Sequence, residues 1–190
     1  EDYFKTKVND SMRHRNYIYA AMIASIDEIV GRILDKLEEE ELTDETIVIF
    51  ISDNGGRIGS YPGWETVANN EPLRSGKGSL YEGGIRVPMI IRWPGVTGGG
   101  RMINAPTITC DLFPTILSMA GINGLDYQTD GMDLTPLIQG EKVGIDRESL
   151  YWHYPHYYST TTPASSILQW PWKLIHYFEN EGPSALELYN

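Results

Sequence analysis

Between residues 16 and 40 apolar side chains recur every three or four positions, at Ile18, Met22, Ile26, Ile29, Ile33 and Leu37. That period predicts a long amphipathic helix. At about 1.5 Å per residue it would run roughly 35 Å, enough to cover a sheet face. Glu38, Glu39, Glu40 and Glu41 crowd its C-terminal end, where the macrodipole disfavours acids, so that end is expected to fray into solvent. The pattern then changes to a nearly unbroken β-branched run, Thr46-Ile47-Val48-Ile49-Phe50-Ile51-Ser52. Such a run predicts a strand covered on both faces, as in parallel α/β sheets. Residues 55–82 carry few apolar side chains and many glycines, and so read as loop. A loop of that length inside a compact domain is usually functional.

A second strand is predicted over 87–93. Asp111 is placed to cap a helix that has Pro114 in its first turn and Gly121 just past its end. After residue 149 the texture becomes aromatic and β-rich. Segments 150–154, 165–169, 172–178 and 186–189 predict a small antiparallel sheet. The chain therefore divides into an α/β part over 1–148 and a small, incomplete antiparallel subdomain over 149–190.

Candidate chemistry begins where the first strand ends. Asp53 and Asn54 follow it directly, with Gly55 and Gly56 behind them. Ligands of open α/β sheets bind at the carboxyl ends of strands. Acid and amide offer oxygen donors, which suit Ca²⁺ or Mg²⁺ better than zinc. The same four residues also describe an ordinary Asx-Gly turn. Lys77 lies between Gly76 and Gly78. It reads equally as a solvated loop lysine or as an ammonium brought close to a substrate.

Composition narrows the classes. The formal net charge of −11 argues against a nucleic-acid surface. No apolar run is long enough to span a membrane. The single cysteine, Cys110, excludes an intrachain disulfide. The chain opens at Glu1 without an initiator methionine and reads as an internal piece of something longer.

The order of several segments is more specific than any one of them. The Tyr17–Asp27 helix and Ile51-Ser52-Asp53-Asn54-Gly55-Gly56 come first. Pro72-Leu73-Arg74-Ser75-Gly76-Lys77-Gly78-Ser79-Leu80-Tyr81-Glu82-Gly83-Gly84-Ile85-Arg86-Val87-Pro88 follows. Cys110-Asp111-Leu112-Phe113-Pro114-Thr115, Asp130-Gly131-Met132-Asp133-Leu134, Trp172-Lys173-Leu174-Ile175 and Glu187-Leu188-Tyr189-Asn190 complete the series. In this order and spacing the chain closely resembles the C-terminal portion of formylglycine-dependent sulfatases, in the alkaline-phosphatase-like superfamily.

The resemblance implies an α/β sandwich of alkaline-phosphatase type, followed by a small antiparallel C-terminal sheet of α+β character. It makes Asp53 and Asn54 calcium ligands, with Mg²⁺ as the alternative ion, and Lys77 a catalytic residue that contacts the sulfate. Gly83 and Gly84 would take backbone conformations closed to other residues, and Glu82 and Arg86 would be scaffold, with Arg86 paired to a buried carboxylate. His153 and His156, among the aromatics of 151–158, are candidate substrate-binding residues for a sulfated sugar, with a half-buried sheet edge as the plainer alternative. His14 and His176 have no motif around them.

Formylglycine arises from cysteine in Cys-x-Pro-x-Arg, which Cys110 and its followers do not match. Cys110 thus reads as a small apolar residue, and the nucleophile is expected in the missing N-terminal part. Trp170-Pro171 also departs from the family's Gly-Asp before Trp-Lys. The expected activity is sulfate-ester hydrolysis on sulfated carbohydrates by the parent enzyme, with the chain alone inactive. The alternatives are a phosphonate monoester hydrolase or phosphodiesterase of the same superfamily, and a non-catalytic carbohydrate-binding module. Expected partners are a sulfated small molecule or glycan, the missing N-terminal half of the same enzyme, and other copies of the chain through self-association. The resemblance implies a periplasmic or secreted location.

Overall fold

A computed structural model describes residues 1–59, 67–122 and 127–190. A short helix α1 (Asp2–Lys5) precedes the long helix α2 (Tyr17–Glu39). Asn16 caps α2 by accepting a hydrogen bond from the Tyr19 N–H at 2.9 Å. The predicted apolar stripe is present, yet α2 has no buried residue. Met22, Ile29 and Ile33 are each more than half exposed, at 58%, 53% and 56%. The helix forms as its sequence dictates, but among the described residues none covers the middle of its stripe, from Met22 to Ile33.

Strand β1 (Val48–Ile51) runs antiparallel to β2 (Met89–Arg92), with Val48 opposite Arg92 and Ile51 opposite Met89; the short helix α3 (Glu82–Ile85) lies between them in sequence. This corrects the parallel pairing expected from the apolar run. Such a run carries no information about the direction of the neighbouring strand, and the expected cover on both faces is found on one face only. One face of the pair packs on a small core of Met119, Leu134 and Ile138, through Ile47, Met89, Ile91 and Trp93. Phe50 and Ile90 on the other face are exposed.

Helices α4 (Leu112–Met119) and α5 (Thr135–Gln139) complete the first part. Gly121 follows α4 with φ of 71°, the left-handed conformation expected after a helix end. Asp111 does not cap α4 with its side chain. Its carboxylate is fully buried and accepts from the N–H groups of Ile108 and Met132, both at 2.9 Å. Both terminal guanidinium nitrogens of Arg147, Nη1 and Nη2, donate to it as well. Thr115 ties the same knot, donating to the Asp111 carbonyl at 2.6 Å and accepting from the Leu134 N–H at 2.9 Å.

Four strands follow: β3 (Leu150–Tyr154), β4 (Ala164–Gln169), β5 (Trp172–Tyr177) and β6 (Leu186–Tyr189). They form an antiparallel meander in that order, as the sequence predicts. One face turns inward. Ala164, Ile175 and Tyr177 from the sheet pack with Leu80 and Tyr81, with Trp152, Tyr154 and Tyr189 at the margin. The loop segment before α3 is thus the floor on which the sheet rests. Tyr151 and Leu188 stand on the opposite, exposed face.

The Asp111 knot generates a prediction. Burial pushes the Asp111 carboxyl up, but the Arg147 hydrogen bonds and the two backbone N–H groups outweigh it and hold the group below the usual carboxylate range. A depressed folded value means stability that is fully present above about pH 3.9 and lost as pH falls through the folded value. Arg147→Ala leaves a buried carboxylate without its counter-charge and is expected to cost about 3–5 kcal/mol in chemical denaturation at neutral pH. Asp111→Asn is expected to flatten the acid limb of the stability curve.

Candidate functional site

The segment after β1 meets the segment before β2 backbone to backbone. The Gly55 N–H donates to the Gly84 carbonyl at 2.9 Å, and the Lys77 N–H donates to the Gly56 carbonyl at 3.1 Å. A Cβ at residue 55 would lie 1.7 Å from the Gly83 carbonyl oxygen, so only glycine fits there. Gly83 and Gly84 are glycine for the same reason. Neither has a positive φ, contrary to the conformation expected for them. A Cβ at residue 83 would meet the Ser75 carbonyl oxygen at 2.3 Å, and one at residue 84 the Ser79 carbonyl oxygen at 2.2 Å.

Asn70 joins the two segments, and the sequence reading missed it. Its Oδ1 accepts from the Gly56 N–H at 3.1 Å, while its Nδ2 donates to the carbonyls of Gly56 at 2.7 Å and Ser75 at 3.0 Å. Asn69-Asn70-Glu71-Pro72 looks like turn vocabulary, and only the tertiary contact marks the second asparagine.

Asp53, Asn54 and Lys77 are therefore brought to one place. Asp53 is exposed, and Asn54 is half-buried, its Nδ2 donating to the Gly55 carbonyl at 2.9 Å. Donation by the nitrogen leaves the Asn54 amide oxygen as the atom that could face a cation. The donors are of the right kind for a hard cation. They are few, since Ca²⁺ takes about six to eight oxygens. Among the described residues no group of three or more His, Cys, Asp or Glu side chains could hold a metal.

Lys77 is half-buried. Its carbonyl accepts from Thr160 Oγ1 at 2.8 Å. The next residue, Gly78, has φ of 86°, and the ring of Tyr158 occupies the space where a Cβ would project. The connection between β3 and β4 thus packs on the lysine turn.

The scaffold residues are tied to the sheet. Lys173 of β5, 5% exposed, pairs with Glu82 at 2.9 Å. Burial pushes the Lys173 ammonium down, and Glu82 raises it part of the way back. Arg86 is exposed and stands 3.9 Å from the same carboxylate, so its partner is a half-buried glutamate rather than a buried acid. Tyr81 donates to Glu187 at 2.5 Å and accepts from the Tyr177 hydroxyl at 2.8 Å. Arg74 lies over the Tyr81 ring, 4.2 Å from its centroid, and donates to the Tyr189 hydroxyl at 2.6 Å.

The histidines sit apart from these residues. His153 is on the exposed face of β3, its Nδ1 2.7 Å from Ser165 Oγ and its ring beside Phe178. His156 is exposed beside Tyr154, at the start of the connection that carries Tyr158 and Thr160. A cleft of roughly 850 Å³ opens elsewhere, between residues 101–106, residues 142–149 and Trp170. Its cations are already engaged. Arg101 donates to the Leu137 and Ile138 carbonyls, Lys142 pairs with Asp146, and Arg147 holds Asp111.

Two family models match the chain. The Sulfatase model covers residues 3–122, and the C-terminal model of N-sulphoglucosamine sulphohydrolase covers residues 75–190. A protein described as a sulfatase from Formosa agariphila is 32% identical over 206 residues, covering 98% of this chain and 35% of that protein. Human arylsulfatase H is 38% identical over 174 residues, covering 88% of this chain and 31% of that protein. The chain thus spans about a third of the length of these curated relatives.

Among solved structures, Ps i-CgsB in complex with k-i-k-neocarrahexaose superposes with a TM-score of 0.79 at 27% identity, over 100% of this chain and 39% of that one. A protein in complex with its substrate D-glucosamine-2-N,6-O-disulfate gives 0.73 at 28% identity, over 93% and 33%. A phosphonate monoester hydrolase from Silicibacter pomeroyi shares the fold alone, at 22% identity and a TM-score of 0.63.

The role of Asn70 can be measured. Asn70→Asp keeps the shape but turns two donated hydrogen bonds into contacts between a carboxylate and carbonyl oxygens. The loss is expected to be about 1–3 kcal/mol in thermal or chemical denaturation. An unchanged midpoint would remove Asn70 from its place between the two segments.

Proposed function

The chain belongs to the sulfatase family, and from that membership we propose that the protein it is part of hydrolyses sulfate esters of carbohydrates. In this reading the chain supplies two cation ligands and the lysine that serves the leaving group. The observation that carries it is the Lys77 N–H on the Gly56 carbonyl at 3.1 Å, which docks the lysine turn onto the segment that bears Asp53 and Asn54.

Each residue has a distinct part in this proposal. Asp53 and Asn54 would hold Ca²⁺ or Mg²⁺ through a carboxylate and an amide oxygen, both hard donors. The other ligands would come from the substrate and from residues outside this chain. Such an ion draws charge from the sulfate oxygens. A hydrated formylglycine, contributed from outside this chain, would supply the oxygen nucleophile. When the S–O bond to the substrate breaks, its electron pair stays on the leaving oxygen. The Lys77 ammonium would neutralise that developing charge.

The substrate class rests on the neighbours and on the aromatic connection. Two similar structures were solved with k-i-k-neocarrahexaose and with D-glucosamine-2-N,6-O-disulfate. His156 stands at the start of the connection that packs on Lys77, and it would contact a sugar or sulfate there. His153 is proposed for the same role at the sheet's outer face. The phosphonate hydrolase reading is supported by fold alone, and Asp53, Asn54 and Lys77 would serve a phosphoryl group in the same geometry.

Lys77→Ala in the full-length protein is expected to lower kcat for a sugar sulfate about 10²- to 10³-fold with little change in KM. The isolated chain is expected to turn over no 4-nitrophenyl sulfate above background. Undiminished kcat in Lys77→Ala would overturn the role given to the lysine, and turnover by the chain alone would overturn the need for an outside nucleophile.

Cation binding offers a separate check. Calorimetry on the isolated chain is expected to find Ca²⁺ bound more weakly than about 10⁻⁴ M, because two donors make only part of a shell. A micromolar site abolished by Asp53→Ala would show that the chain completes the shell by itself.

A further inference from the structure

Lys77 is held by its backbone on both sides. Its N–H is fixed to Gly56 at 3.1 Å, and its carbonyl is fixed by the Thr160 hydroxyl at 2.8 Å. Two fixed peptide planes determine the direction in which the Cα–Cβ bond leaves the chain. Gly56 belongs to the segment that carries the candidate cation ligands. Thr160 belongs to a different part of the molecule, the connection between β3 and β4.

That connection is built to present a ring and a hydroxyl together. Tyr158 and Thr161 exchange backbone hydrogen bonds, Tyr158 N–H to Thr161 carbonyl at 3.0 Å and Thr161 N–H to Tyr158 carbonyl at 3.2 Å. The resulting tight turn sets the Tyr158 ring against Gly78, so close that a Cβ at residue 78 would lie 2.2 Å from the ring. It also sets Thr160 on the Lys77 carbonyl. Both residues are half-buried. The turn is anchored by β3 and β4, whose inner face packs on Leu80 and Tyr81. The sheet thus grips the lysine turn at Gly78 and Lys77, and again a few residues later.

We infer that Thr160, with Tyr158 beside it, is a positioning residue that aims the Lys77 side chain at the leaving-group oxygen; the inference rests on the role proposed above for Lys77. The small sheet then serves the reaction as the outer half of a clamp, and its connection transmits the register of β3 and β4 to the lysine. A hydroxyl suits this task because it donates to a carbonyl without bringing charge near the ammonium. The neighbouring ring excludes water from the Gly78 side of the turn.

A merely structural threonine and a positioning one differ in how the leaving group matters. Lys77 helps most where the departing alkoxide is strongly basic, as in a sugar sulfate, and least for 4-nitrophenyl sulfate. In the full-length protein, Thr160→Val is expected to lower kcat about tenfold on a sugar sulfate and clearly less on 4-nitrophenyl sulfate, with KM and the melting temperature little changed. Thr160→Ser, which keeps the hydroxyl, is expected to stay within about twofold of wild type on both esters, and Thr160→Ala to behave as Thr160→Val.

An equal loss on the two esters, a rise in KM with kcat intact, or full activity in both Thr160→Val and Thr160→Ala would overturn the inference. Lys77→Ala separates the two levels of the argument. If Lys77→Ala loses kcat with the same leaving-group dependence and the Thr160 variants do not, the positioning role fails and the reading of Lys77 stands. If Lys77→Ala keeps full kcat, the reading of Lys77 fails and the positioning role with it.

Discussion

Residues 55 and 83 approach so closely that no side chain fits between them. A Cβ at residue 55 would lie 1.7 Å from the Gly83 carbonyl oxygen, far inside any real contact. That approach lets the Gly55 N–H reach Gly84 and the Lys77 N–H reach Gly56, at 2.9 Å and 3.1 Å. Asp53, Asn54 and Lys77 share a place because their backbones do. Their side chains make no direct contact that would hold them there. In the proposed site, assembly through peptide groups would leave these side chains free for a ligand, since none is consumed in holding the others.

The small antiparallel sheet completes this arrangement from outside. Lys173 reaches Glu82, Tyr177 and Glu187 reach Tyr81, Tyr189 reaches Arg74, and Thr160 reaches Lys77. Five sheet-borne side chains therefore meet the stretch from residue 74 to residue 82. Most of these contacts are polar and at least partly shielded. In such surroundings an unmade hydrogen bond is costly, so contacts of this kind specify one arrangement more sharply than apolar packing of equal area. Apolar packing by Leu80, Ala164 and Ile175 supplies the burial that makes those polar contacts selective.

How much of this the sequence discloses depends on the kind of interaction. The helix over 17–39 and the four sheet strands are legible because local periodicity determines them, and each falls within a residue or so of its expected place. The pairing of β1 with β2 is not legible, since an apolar run marks a strand and omits both which way its neighbour runs and which of its faces is covered. Asp111 has the composition of a helix cap, and its actual work is to hold Arg147, thirty-six residues away. Asn70 and Thr160 are invisible for the same reason, because their partners are distant backbone atoms. The glycines at 83 and 84 do not take the backbone conformation expected of them, yet neither position has room for a side chain. The cause is a neighbouring carbonyl rather than a left-handed backbone, and a sequence cannot separate those two.

Two features of the chain share one physical meaning. The stripe of α2 shows Met22, Ile29 and Ile33 to solvent, and Phe50 and Ile90 do the same on the strand pair. At the end of that strand pair, Asp53 and Asn54 would offer a cation fewer oxygens than it takes. On β1 the two features meet, since exposed Phe50 is separated from Asp53 by only two residues along the chain. A surface that covered the strand pair would therefore come close to the end of β1, where the proposed cation would take further oxygen donors. Covering the exposed face of the strand pair and filling a cation site at Asp53 and Asn54 would thus be coupled through β1 itself, because a shift of the strand moves both.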